Sequence, residues 1–304
     1  IRKILFNMTK ISFNKYYNFF SLLSLFLIII SLLLLIFKGL NFGVDFKGGT
    51  LIEIRTSKNN ANISIIRDSF KQMNLGNVNV KQFGNETDFI VKFDKKNSND
   101  SEFIKNIKSK LASSIGEDFN FRWVENVGPK VSSELLKSGV IAIILSLAAM
   151  LFYIWIRFEW QFSLGAILAL FHDVIITLGL FSLLNLEINL SIVAAILTIV
   201  GYSMNDTVVI YDRVRENLRK YSDIKIFELS NISINETLSR TIITSVTTLL
   251  ALLSIYIFGG EILKGFSFAM ILGVIFGTYS SIYIANPLLV KLNVSQKTIV
   301  KEED

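Results

Sequence analysis

Three charged side chains lie within or beside long apolar windows of the sequence. Asp173 falls near the middle of the window 162–184, and Arg240 stands directly before the window 242–258. Asp206 lies in the window 189–211, about six residues past its midpoint, or roughly 9 Å along a helix. A charge near the centre of a bilayer is unfavourable by roughly 2.5–3.5 kcal/mol. These residues therefore mark a candidate functional site, and proton transfer is the chemistry that they support.

Two hypotheses account for Asp206 and Arg240. In the first, the two residues form a static ion pair that fixes helix packing. In the second, they form a proton relay, because burial disfavours a charged carboxylate while a nearby guanidinium favours it. A carboxyl balanced between these effects can change its protonation during a conformational cycle. Each proton that crosses the membrane supplies about 2.3 kcal/mol per 100 mV, which biases an equilibrium more than tenfold.

Other polar residues follow the helix faces that such a relay requires. Thr198, Tyr202 and Asn205 share a stripe with Asp206 at helical spacing. The lone histidine is typical of a hydrogen-bonded core residue, and proton transfer is the alternative. The predicted relay consists of Asp206, Arg240 and Asp173, and its supporting polar path consists of His172, Asn205, Tyr202 and Thr244.

The composition excludes most other site chemistry. The 304 residues are 51% hydrophobic and include one His and no Cys, so no disulfide, thiolate site or His-cluster metal site is expected. The phosphate-binding pattern G-x-x-x-x-G-K-[ST] is absent, which argues against ATP as the energy source. We therefore predict a protein that is not an enzyme, has no cofactor and uses protons as its coupling ion.

Six apolar windows are long enough to cross a hydrocarbon core of roughly 30 Å as helices. The first is too long for a signal peptide and has no A-x-A-like cleavage site after it, so we expect an uncleaved anchor. The predicted spans are 19–37, 139–156, 162–184, 189–211, 242–258 and 266–290.

The distribution of Lys and Arg predicts the orientation. Basic residues cluster before the first span, after the second and fourth spans and after the last, whereas the opposite short connections hold only Lys264. Under the positive-inside rule, residues 1–18, 212–241 and 291–304 are cytoplasmic and residues 38–138 lie outside. The net charge of +6 thus belongs to membrane topology and does not indicate nucleic-acid binding.

Residues 38–138 have the pattern of a separate α+β domain. Alternating runs at 50–57, 78–83, 89–93 and 119–124 predict strands, and helical spacing predicts helices near 63–73 and 103–111. The turn Gly84-Asn85-Glu86 predicts a hairpin between the middle strands. The order β-α-β-β-α-β predicts a ferredoxin-like extracytoplasmic domain, suited to binding or leverage rather than catalysis.

Six stretches of the sequence form recognisable motifs. They are GLNFGVDFKGGT (39–50), VGPKVSSEL (127–135), FHDVIIT (171–177), VGYSMNDTVVIYDRVREN (200–217), SRTIITS (239–245) and FGGEILKGF (258–266). Together they resemble one family, the SecF subunits of the SecD/SecF family in bacterial protein export. The resemblance runs in matching order from about residue 13 to the end of the last span.

This resemblance implies half of a resistance-nodulation-division (RND) type transporter in the bacterial inner membrane. It implies pairing with SecD, here expected as a separate chain, and work with the SecYEG channel on late stages of preprotein export driven by the proton gradient. It also implies that Asp206 and Arg240 take part in proton passage, with Asp173 in support. A small-molecule or lipid exporter and a purely structural subunit remain as alternatives.

Overall fold

The computed structural model describes residues 11–57, 62–82, 85–94, 101–115, 119–221 and 224–299. The ends of the predicted cytoplasmic segments, 1–10 and 300–304, and the turn residue Gly84 lie outside these ranges. The α-helices are α1 (Tyr17–Phe37), α2 (Val44–Lys47), α3 (Ile63–Gln72), α4 (Ser101–Ile115), α5 (Pro129–Arg157), α6 (Trp160–Leu183), α7 (Leu190–Lys220), α8 (Ile226–Phe258), α9 (Gly260–Ser280), α10 (Asn286–Lys291) and α11 (Gln296–Ile299). The β-strands are β1 (Asn41–Phe42), β2 (Gly49–Thr56), β3 (Val78–Gln82), β4 (Asp88–Phe93), β5 (Phe119–Val127) and β6 (Glu187–Ile188).

The chain divides into two units. Residues 41–141 and 187–190 form one, here called the α+β unit. The described residues up to 40, together with 142–186 and those from 191 onward, form the helical unit. The short segment 187–190 between α6 and α7 thus belongs to the α+β unit.

The structure contains the six predicted membrane-spanning helices, and the chain is a multi-pass membrane protein. Several helices extend beyond the apolar windows. For example, α7 continues to Lys220 and α8 begins at Ile226. Most of the predicted connection 212–241 is therefore helical. The helices long and apolar enough to span are Phe13–Phe37, Lys130–Arg157, Trp160–Leu183, Leu190–Lys220, Ile226–Phe258 and Leu263–Lys291.

Helix α1 buries small and polar residues and exposes apolar ones, which is the pattern expected of a span at the lipid-facing edge of a bundle. Its buried residues are Tyr17, Ser24 and Ser31, which recur every seven residues on one face. Phe and Leu side chains cover the remaining surface, where an aqueous protein would place polar groups. Lipid solvates apolar side chains as well as a core does, so helix contacts in membranes use small and polar residues.

Helix α6 lies at the centre of the helical unit, with 67% of its most apolar stretch buried. Close approach between helices of this unit depends on glycines. A Cβ added at Gly179 would lie 2.4 Å from Ser31 Cβ of α1, and one at Gly273 of α9 would lie 2.3 Å from Ile199 Cγ1 of α7. The small-residue stripe of the last span is buried throughout, namely Ala269, Gly273, Gly277, Ser281 and Ala285.

The α+β unit contains a sheet with strand order β3-β4-β2-β5 and antiparallel neighbours. Each long helix joins two strands that a third strand separates. The predicted order β-α-β-β-α-β is thus present. Alternation on β2 and β4 buries Ile52, Ile54 and Phe89 together with Ile66 and Phe70 of α3. The apolar face of the strands, which repeats every two residues, and the apolar face of α3 therefore meet in one core.

An ion pair on the sheet joins neighbouring strands. Arg55 Nε and Nη2 donate to the two carboxylate oxygens of Asp88 at 2.5 and 2.6 Å. These hydrogen bonds hold the pKa of Asp88 below its usual value. On β5, burial raises the pKa of Glu125, and the neighbouring Asp45 carboxylate adds to the rise. The sheet thus holds the pKa of one carboxyl below its usual value and the pKa of another above it.

Candidate functional site

The carboxylate of Asp173 lies at the centre of a polar cluster inside the helical unit. Its Oδ2 accepts hydrogen bonds from Ser203 Oγ at 2.5 Å and Ser280 Oγ at 2.8 Å. Its Oδ1 lies 2.8 Å from His172 Nδ1. Asp173 and His172 are completely buried. Three spans, α6, α7 and α9, therefore meet at one carboxylate.

Asp206 lies one helical turn after Ser203 on α7 and is 4% exposed. Its Oδ2 accepts a hydrogen bond from Thr278 Oγ1 of α9 at 3.3 Å. Thr278 Oγ1 in turn lies 2.8 Å from Ser245 Oγ of α8. Because Thr278 and Ser280 are two residues apart, both carboxylates contact the same stretch of α9.

Arg240 lies on the exposed surface of α8 rather than in the interior of the helical unit. Among the described residues, no carboxylate oxygen lies within 4.0 Å of its guanidinium nitrogens. The hypothesis of a static buried ion pair with Asp206 therefore does not describe this structure. Asp173 and Asp206 are thus buried among the helices of this chain, whereas Arg240 is not.

The supporting residues divide between core and surface. His172 stacks on Tyr279 with ring centroids 5.8 Å apart. Within the described ranges its Nε2 has no hydrogen-bond partner, and neither does the buried hydroxyl of Tyr202. Asn205 is exposed, and Thr244 donates to a carbonyl one turn earlier in its own helix. The structure therefore brings His172 to a relay residue, Asp173, and leaves Asn205 and Thr244 apart from both carboxylates.

Further buried hydrogen bonds continue from the carboxylates along α7. Thr207 Oγ1 lies 2.8 Å from Ser281 Oγ, and Tyr211 Oη donates to the Ala285 carbonyl at 3.0 Å. Residues Ser281–Ala285 form a π-helical segment, and Asn286 Nδ2 donates to the Ser281 carbonyl at 2.8 Å. π-helical segments occur frequently at functional sites. The contact between α7 and the last span is therefore polar over several turns.

Four residues of this site were not predicted from the sequence, namely Ser203, Ser245, Thr278 and Ser280. Ser and Thr within apolar helices usually donate to a carbonyl of their own helix. Thr198 does so, with Oγ1 2.8 Å from the Ala194 carbonyl. The one available signal was position, since Ser203 precedes Asp206 by one turn and shares its face.

The arrangement allows a proton to alter helix contacts. A carboxylate only accepts hydrogen bonds, whereas a protonated carboxyl also donates one. Ser203 and Ser280 both donate to a single oxygen of Asp173, so protonation of that oxygen requires at least one hydroxyl to change partner. The same change at Asp206 would alter its bond to Thr278. The contact between α7 and α9 thus depends on the charge of two carboxyl groups.

Two family descriptions match the sequence. The family described as "Protein export membrane protein SecD/SecF, C-terminal" matches residues 107–295, which is well over half of the chain. The "SecD/SecF GG Motif" matches residues 33–59. Together these matches include residues of both units.

Named relatives and solved structures are consistent with those matches. The chain is 47% identical over 286 residues to "Protein translocase subunit SecF" of Rickettsia bellii, covering 92% of this chain and 93% of that protein. The SecF of Rickettsia felis is 46% identical, with 92% of each chain covered. The crystal structure of SecDF, a translocon-associated membrane protein from Thermus thermophilus, matches 94% of this chain with a TM-score of 0.84 and 34% identity. The match covers only 39% of that SecDF chain. A structure of SecDF in a "Super-membrane-facing form" gives a TM-score of 0.69 at 34% identity, over 93% of this chain and 38% of the other.

Proposed function

We propose that this chain, which belongs to the SecD/SecF family of protein-export membrane proteins, is a proton-driven subunit of the preprotein translocase. In this proposal it pairs with SecD and promotes late stages of export through SecYEG. It lies in the bacterial inner membrane with both termini cytoplasmic and the α+β unit outside. The concentration of Lys and Arg in one set of short connections supports that orientation.

The observation that carries the proposal is the pair of buried carboxylates, on α6 and α7, that contact one stretch of α9. Asp173 and Asp206 are buried, yet no cation of the chain forms an ion pair with Asp206 among the described residues. A charged group inside a membrane bundle is unfavourable unless it is paired or able to take up a proton. Hydroxyl groups are the observed hydrogen-bond partners of Asp206 and of Asp173 Oδ2. Hydroxyls can bond to either form of a carboxyl. Asp206 and Asp173 are therefore suited to take up and release protons.

The exposed position of Arg240 favours the packing of a second chain against the surface formed by α7 and α8. Arg240 is exposed on α8, and α7 exposes Thr198, Gly201 and Asn205 at helical spacing. Small and polar residues on a membrane helix favour contact with another helix over contact with lipid. In our proposal SecD covers this polar surface and encloses Arg240, which then favours the charged form of Asp206. The 39% coverage of the longer SecDF chain supports this division into two halves.

The proposed cycle transfers energy without covalent chemistry. Proton uptake at Asp206 and Asp173 changes the hydrogen bonds between α7 and α9, and proton release on the other side restores them. The membrane potential supplies about 2.3 kcal/mol per proton per 100 mV. The resulting helix movements displace the α+β unit during export.

Asp206→Asn tests the relay. Asparagine keeps the size and one acceptor oxygen but cannot gain or lose a proton at physiological pH. In proteoliposomes with SecYEG and SecD, we expect the variant to assemble normally and keep ATP-driven export. We expect it to lose the additional export that an imposed proton gradient produces.

The matched control is Asp212→Asn, less than two turns later on the same helix. Asp212 is 43% exposed at its side chain and pairs with Arg157 at 2.9 Å, so its loss should leave gradient stimulation unchanged. Full gradient stimulation in a well-assembled Asp206→Asn complex would show that Asp206 is not the proton carrier.

A further inference from the structure

The segment between α6 and α7 is attached to the segment that follows α1. Strands β1 and β6 pair in parallel, with Asn41 opposite Glu187 and Phe42 opposite Ile188. The Gly43 amide donates to the Ile188 carbonyl at 2.8 Å. A Cβ at Gly43 would lie 3.3 Å from that carbonyl oxygen, so glycine permits the close approach.

The same segment is also tied to the large sheet of the α+β unit. The Glu187 carboxylate pairs with Lys92 of β4, and its other oxygen lies 3.8 Å from Lys81 Nζ of β3. Glu187 and Lys92 are each only 23% exposed at their side chains, so water screens this pair less than a surface ion pair. Residues 187–190 are consequently held from two sides within one unit.

Asp45 adds a contact to the first residue of α7. Its Oδ2 accepts a hydrogen bond from the Leu190 amide at 2.8 Å, and Asp45 is 8% exposed. The first amides of a helix have no partner within the helix, and a carboxylate there also interacts favourably with the helix dipole. Asp45 therefore caps α7 from a position 145 residues away in the sequence.

Helix α7 connects this cap to the proton site. It runs without interruption from Leu190 to Lys220, a length of 31 residues or about 46 Å. Ser203 and Asp206, which contact the last span, lie on the same helix. A displacement of α7 caused at these residues therefore moves its capped end as well.

We propose that Asp45, β1 and β6 form a junction clamp that makes the α+β unit follow the N-terminal end of α7. Asp45 is in this view a positioning residue, which acts on proton-driven movement through the backbone of α7. The inference rests on the proposed function, since it assumes that protonation displaces α7. It assigns a mechanical role to the Asp of the GVDFKGG motif.

The test compares Asp45→Ala, Asp45→Asn and the control Asp68→Ala, an exposed carboxylate on α3. The chain contains no Cys, so cysteines introduced at Lys71 and Lys291 carry the only spin labels of this subunit. The distance between them is measured by electron paramagnetic resonance in the reconstituted complex with SecD, with and without a proton gradient. Loss of a helix cap typically changes an equilibrium about fivefold.

We expect the gradient-dependent fraction of the shifted distance to fall about fivefold in Asp45→Ala, because the cap is lost. Asp45→Asn should retain most of the shift, since Asn caps helices as well as Asp does, and Asp68→Ala should retain all of it. An unchanged shift in Asp45→Ala would overturn the clamp alone. A wild-type complex without any gradient-dependent shift would overturn the proposed function and the clamp together.

A second variant covers the case in which Asp45→Ala does not fold. Phe42→Cys with Ile188→Cys places two cysteines at paired positions of neighbouring strands, within the range that a disulfide spans. If the clamp stays closed during the cycle, the oxidised and reduced samples should show equal gradient-stimulated export. Loss of stimulation on oxidation, restored by a reductant, would show that the clamp must open and would overturn the proposal.

Discussion

Replacing glycine with alanine at two positions in the membrane should change stability in opposite directions. Gly179 of α6 faces α1, and an added Cβ would lie 2.4 Å from Ser31 Cβ and Oγ and 2.8 Å from Ser31 Cα. Apart from its chain neighbours and the nearby backbone of α7, no atom of the described residues lies within 4 Å of a Cβ added at Gly201. The chemical change is identical at both sites, so the difference isolates helix packing.

The magnitudes follow from these distances. Ordinary carbon contacts begin near 3.5 Å, so Gly179→Ala forces α1 and α6 apart by about 1 Å. Overpacking of this kind costs about 1–3 kcal/mol, and the better helix propensity of alanine offsets about 1 kcal/mol of that. We expect Gly179→Ala to lower the free energy of unfolding by up to about 2 kcal/mol. We expect Gly201→Ala to raise it by about 0.5–1 kcal/mol.

Thermal inactivation of the purified chain in detergent, followed by size-exclusion chromatography, measures both effects. A Gly179→Ala variant that is stabilised as much as Gly201→Ala would refute the reasoning about α1 and α6. Repeating the measurement with SecD present separates packing within the chain from packing between chains. If the partner covers the polar surface of α7, Gly201→Ala should weaken the complex although it stabilises the isolated chain.

Two further substitutions test the ion pair of the sheet and the carboxylate cluster. Asp88→Asn should destabilise the α+β unit at neutral pH by about 1–2 kcal/mol, because a hydrogen-bonded charge is lost, as measured by hydrogen exchange of the strand amides. Arg55 lowers the pKa of Asp88 in the folded state. The difference in unfolding free energy between Asp88→Asn and the wild type should therefore be constant above about pH 5. It should shrink as the pH falls below 3.8, the ordinary value for Asp, and a pH-independent difference would contradict the assignment. Ser280→Ala removes one of two hydroxyl donors to Asp173 Oδ2 and should reduce gradient-stimulated export severalfold, whereas Ser254→Ala, an exposed serine of α8, should have no effect.

The sequence alone determined the membrane spans and the order of the four long strands and the two helices between them in the α+β unit. Both depend on local properties, namely the length of apolar windows and the period of apolar residues. It also identified Asp173 and Asp206, because a carboxyl group within an apolar window stands out in any conformation. The position of Arg240 beside such a window was equally visible, but its exposure on α8 was not.

Only the tertiary structure decided which groups meet these carboxylates. Ser280 reaches Asp173 across 107 residues, and Thr278 reaches Asp206 across 72. A hydroxyl in a helix can always bond to its own backbone, so the sequence does not distinguish Ser280 from a serine such as Ser254. The cap that Asp45 provides for α7 was also hidden in the sequence, because it joins residues that are 145 positions apart in the chain. Spacing along one helix follows from backbone geometry, whereas contacts between helices depend on how close their backbones approach, and glycines such as Gly273 and Gly179 set that distance.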